Sequence, residues 1–76
     1  MTDTYERLCR VISEETGIDP ERLKPETHII NELGPDPMVE MEIALGIEKE
    51  FGVDLTDDTA SCGEVRELVA RIEARQ

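Results

Sequence analysis

Three carboxylates crowd the stretch Asp54-Leu55-Thr56-Asp57-Asp58, the density at which a calcium loop begins. A twelve-residue loop of that kind needs glycine at its sixth position and an acid at its twelfth, and Thr59 and Val65 stand there instead. Glu48 and Glu50 are the next candidates, as an acid and base pair. Residues two apart on a helix point away from each other, so they do not converge on one substrate atom. His28 is the only histidine, with no serine, cysteine or second ligand at catalytic or metal spacing. Ser13 and Ser61 lack a neighbouring base. Cys9 falls on an apolar stripe, which predicts a buried thiol, and Cys62 stands alone. No glycine-rich phosphate loop is present. The chemistry predicted is therefore binding, with no catalytic residue and no metal site.

The binding surface is anionic. Nineteen acids face eight bases, for a net charge of −11. Between Glu26 and Asp58 there are ten carboxylates and one base, Lys49, so nine of the eleven excess charges lie in that stretch. Such a field repels nucleic acid and anionic membrane and draws in basic protein surfaces. No apolar run exceeds three residues, far below the ~20 that cross a bilayer. Two cysteines without metal spacing, and no signal-peptide pattern, make a reduced, cytoplasmic monomer the expectation.

The elements that position this surface are helical. A chain of 76 residues removes only about 60% of its unfolded surface from water, enough for one core and one domain, residues 1–76. With aromatics at 3%, that core must be aliphatic. The first helix is predicted from Asp3 or Thr4 to Thr16, with Tyr5, Leu8, Cys9 and Ile12 at helical spacing and Val11 beside them. Gly17 should end it and Ile18 should make the hydrophobic contact of the cap. Asp19-Pro20-Glu21 opens a brief turn that Lys24-Pro25 soon stops. A long ordered loop is expected from Pro25 to Gly34, pinned by Ile29, Ile30 and Leu33. Asp36 then caps a second helix with Pro37 at its first position, running to Phe51 and stopping at Gly52. Met38, Met41, Ala44, Leu45, Ile47 and Phe51 form its expected apolar face. Thr56 is positioned to cap a short third helix over 57–60. Ser61-x-x-Glu64 has the form of a capping box for a last helix with Val65, Leu68, Val69 and Ile72 on its stripe.

In this order the segments resemble an acyl carrier protein over nearly the whole chain. "TGIDPERLKPETHIINELG" is similar to that family's first-helix exit and long loop, and "DPMVEMEIALGIEKEFGVDL" to its second helix, whose signature is Asp-Ser-Leu. "TDD" and "VRELVARI" are similar to its third and fourth helices. The resemblance implies an all-α, small four-helix bundle of acyl-carrier type, with a long loop between helices one and two and a short third helix. It also implies a cofactor. The family's serine, at the first position of helix two, carries 4′-phosphopantetheine, whose thiol bears acyl chains as thioesters among partner enzymes. Pro37 occupies that position here and has no hydroxyl, so no cofactor is expected on it.

Further departures from the family pattern are Val39, where an acid is common, and Lys49 within the usual run of glutamates. The resemblance and the missing hydroxyl together imply a non-catalytic, carrier-like module of a fatty-acid or polyketide-type pathway. It would dock on the basic surfaces of acyl-chain-processing enzymes through Asp36, Met38, Glu40, Met41, Glu42, Glu48 and Glu50. Two alternatives stand beside it: a working carrier whose serine has been replaced or that loads elsewhere, at Ser13, Ser61 or Cys62, and an acidic bundle that binds an unrelated basic protein. Met41, Leu45, Ala60 and Val65 are the positions that would line a gap for a non-covalent acyl chain, with ordinary core packing as the plainer expectation for them.

Overall fold

The computed structural model describes residues 3–34, 36–56 and 63–76, with Ile30 and Leu33 as backbone alone. The described residues are helical and no strand is found among them. Helix α1 is Asp3–Thr16 and buries Leu8, Cys9, Val11 and Ile12. It ends as predicted: Gly17 takes a left-handed φ of 80°, its N–H bonds the Ser13 carbonyl at 2.8 Å, and Ile18 packs on the core. Asp19 accepts from the Glu21 N–H and starts a single 3-10 turn, Pro20–Arg22. Beyond it Leu23 is buried. The Tyr5 hydroxyl donates to the Leu23 carbonyl at 3.0 Å and ties this turn to α1.

The stretch from Pro25 to Gly34 is not the plain loop expected from its prolines. Ile29–Leu33 forms a five-residue helix, α2. The residues before it pair with the start of the last helix, through Ile29 N–H to Gly63 O at 2.8 Å, Val65 N–H to Thr27 O at 3.0 Å and Arg66 N–H to Pro25 O at 2.9 Å. The His28 ring lies so close over Gly63 that a Cβ there would overlap its Nε2, so any larger residue would have to displace the ring. His28 thus packs between this loop and the start of the last helix.

Helix α3 is Pro37–Phe51 and α4 is Val65–Arg75. Gly52 closes α3 in the left-handed region at φ 71°. The start of α4 corrects the sequence expectation, because the capping box is made by Glu64 and Glu67 and the helix begins after Ser61-x-x-Glu64 is complete. Backbone pairing with Thr27 and Pro25 fixes that start, which short-range propensity does not register. The Thr56 N–H and hydroxyl donate to the Asp54 carboxylate at 2.9 and 2.7 Å. The Thr56 hydroxyl, then its N–H, hold that carboxyl below its usual range. The third helix predicted over 57–60 lies outside the described residues, as do Ser61 and Cys62.

The core is aliphatic, with Leu8, Ile12, Ile43, Ile47, Leu55, Val65, Leu68 and Ile72 essentially sealed from water. Its main seam is α1 against α3, and Gly46 sets the approach. A Cβ on Gly46 would come 2.7 Å from Val11 Cγ1. At the end of the seam Arg7 grips the last turn of α3. Its Nε donates to Glu50 Oε2 at 2.7 Å and its Nη2 to the Glu50 carbonyl at 2.9 Å. The guanidinium also lies 4.5 Å over the Phe51 ring. A cation on the C-terminal carbonyls of a helix is favourable for the helix dipole as well.

The apolar face of α3 is a second correction. Ile43, Ala44, Gly46 and Ile47 are buried, and Val39 and Phe51 pack against the core. Met38, Met41 and Leu45, assigned to the same face by their chemistry, are at the surface. Apolar residues surround most of this helix, so periodicity alone does not say which side turns inward.

Candidate functional site: the start and outer face of helix α3

The site is built at a helix N-terminus. Gly34 turns the chain at φ 83°, and Asp36 N–H bonds the Gly34 carbonyl at 2.9 Å. Asp36 has extended backbone angles, and its carboxylate accepts the Met38 N–H at 2.9 Å. The Asp36 carbonyl takes the first helical bond, from Glu40 N–H at 3.1 Å. Pro37 follows at the first helical position, where a missing N–H costs nothing and a fixed φ suits the helix. Its ring is exposed. A serine with the same backbone angles would have the same cap and would hold its hydroxyl at the positive end of the helix dipole.

Below this turn, Met38, Met41 and Leu45 are 69%, 45% and 48% exposed. At i, i+3 and i+7 they fall on one side of the helix. Asp36, Glu48 and Glu50 are exposed beside them, and Glu40 and Glu42 are half-buried. The predicted acids are thus all on α3 or its cap, but they are not equivalent, because Glu50 is committed to Arg7. The residues named for an acyl gap are divided. Val65 is in the core while Met41 and Leu45 are outside, and Ala60 lies outside the described residues.

A shallow notch of about 130 Å³ opens between α1 and α3, lined by Val11, Glu14, Glu15, Gly46, Lys49 and Glu50. It begins nine residues below Pro37, about 14 Å along the helix axis at 1.5 Å per residue. Polar walls make it unsuited to an acyl chain. Cys9 is buried, and burial pushes its thiol up, away from the thiolate that a nucleophile requires. Ser13 is half-buried on α1, remote in sequence from the capped turn. Among the described residues no group of three or more His, Cys, Asp or Glu is placed to hold a metal ion, and no helix is long and apolar enough to cross a membrane.

Sequence reasoning missed Arg7, Gly46 and Gly63. The two glycines carried a signal, since a glycine inside or beside a helical pattern often marks a close approach. Arg7 carried none, being 43 positions from the Glu50 it grips.

A capped helix start with an acidic, partly apolar face behind it, on a small helical domain, defines a carrier-type module. Comparison with known proteins agrees. The family model described as "Phosphopantetheine attachment site" matches residues 6–72. The acyl carrier protein of Zymomonas mobilis subsp. mobilis is 31% identical over 74 residues, which cover 96% of this chain and 95% of that relative. The chain belongs to the acyl carrier protein family. Acyl carrier proteins are carriers and not catalysts. The family's cofactor is 4′-phosphopantetheine, and Pro37 does not fit it: the side chain at the start of α3 closes on its own backbone nitrogen and has no oxygen to esterify.

Proposed function

We propose that this protein is a non-loading member of its family, a single helical domain of acyl-carrier type. It acts as a cytoplasmic monomer by docking on enzymes that recognise carriers. The observation that carries this is Pro37 at the first position of α3, beneath an intact Asp36 cap. The architecture of an attachment site is kept while its nucleophile is gone. Docking would use Asp36, Glu40, Glu42 and Glu48 against basic partner surfaces, with Met38 and Met41 as apolar contacts, and affinity should fall as salt rises. Glu50 would contribute less, since Arg7 already compensates its charge. Of the positions named for the working-carrier alternative, Ser13 is half-buried on α1, and Ser61 and Cys62 lie outside the described residues.

Intact-protein mass decides the matter after incubation with coenzyme A and a broad-specificity phosphopantetheinyl transferase. The unaltered chain should keep its mass, and Pro37→Ser should gain one phosphopantetheine. A gain by the unaltered chain would overturn the proposal. Binding to acyl-chain enzymes that is indifferent to ionic strength would overturn the docking surface and favour an unrelated basic partner.

A further inference from the structure

We propose that this chain is a dead-end ligand of the enzyme class that installs phosphopantetheine, occupying such a transferase at the surface that an unloaded carrier would use. The proposal rests on the non-loading reading and names its partner. Enzymes that process arm-borne acyl groups meet a carrier with its arm in place, and the arm is part of what they bind. The attaching transferase is different, because it must recognise the protein before any arm exists. A chain with Pro37 is permanently in that unarmed form, so of the carrier-recognising enzymes the transferase loses least by the substitution.

The surface next to residue 37 fits this. Any enzyme that brings its reacting centre to that position must also touch what adjoins it. The Asp36 cap fixes the backbone of the turn at 2.9 Å, and Met38, the following residue, is 69% exposed. Met41 and Leu45, about half exposed, continue from it down one side of α3 as an apolar stripe. Solvent-facing apolar side chains grouped on one helix face mark an interaction site. Asp36, Glu40, Glu42 and Glu48 lie on the same helix or its cap, so the apolar contact would be approached by a basic surface. On such a surface coenzyme A would be held ready, but the proline offers no oxygen to attack its pyrophosphate. No bond forms or breaks, and the complex can only dissociate.

The test is inhibition of the transferase while it loads an active acyl carrier protein from coenzyme A. The unaltered chain should inhibit competitively against the carrier, with Ki within about threefold of the KM that Pro37→Ser shows as a substrate, because the two share one docking surface. Met41→Glu, and Met38→Glu at the more exposed position, should each raise Ki about tenfold without lowering the melting temperature. No inhibition at about ten times that KM overturns the proposal, as does a Pro37→Ser chain that is not loaded or a Ki unmoved by both glutamates. A mass gain by the unaltered chain overturns this and the non-loading reading together. Constant mass without inhibition overturns this one alone.

Discussion

The two sides of α3 are built from similar residues and do opposite work. On the inner side Ile43 and Ile47 are sealed, and Gly46 leaves room for the Val11 and Glu15 side chains of α1. On the outer side Met38, Met41 and Leu45 are comparable in size and hydrophobicity, yet they meet water. Hydrophobicity therefore does not decide burial in this helix. What decides it is where α1 is able to settle, and that is set by a side chain that is missing, at Gly46, and by one reaching across, Arg7. The inner side holds the fold together, and the outer side faces water.

The sharpest test of this contrast is truncation on each side. Ile47→Ala should cost about 2–5 kcal/mol in urea or thermal unfolding, the usual range for a large aliphatic removed from a sealed core. Gly46→Val should cost about 1–3 kcal/mol, because the branched Val11 opposite it cannot yield easily and the seam must widen. A neutral result there would mean that the α1 and α3 seam is looser than the structure shows. Tyr5 gives a spectroscopic view of the packing on α1. Burial, then its hydrogen bond with Cys9, pushes the phenol up to about 12. The fold favours the neutral phenol, so its contribution to stability is complete below the unfolded value near 10 and disappears as pH rises from about 10 to about 12. With one tyrosine and no tryptophan, the ultraviolet absorbance of phenolate follows this group alone. A midpoint near 10 would place the hydroxyl in water. The smallest effect belongs to the outer side, where Met41→Ala should change stability by less than about 0.5 kcal/mol.

Much of the site was legible because its determinants are neighbours in sequence. Asp36, Pro37 and Gly52 announce a cap, a first position and a stop, and α3 starts and ends where they say. Asp3–Thr16 and its buried stripe were legible for the same reason. What escaped depends on contacts between distant segments. Pro25 to Gly34 holds a helix because its flank is hydrogen-bonded to residues 63–66, and that pairing also delays the start of α4 to Val65. The inward side of α3 could not be read from its own residues, since apolar positions circle the helix. Glu50 was counted among the docking acids because nothing near it in sequence reveals the guanidinium that engages it.

A proline ring that begins a helix as well as serine would leaves no scar elsewhere in the molecule. Proline and serine codons differ by a single base, so ancestry can cross between a mute carrier and a loading one in either direction without passing through a misfolded intermediate. Selection at position 37 would then act on chemistry alone.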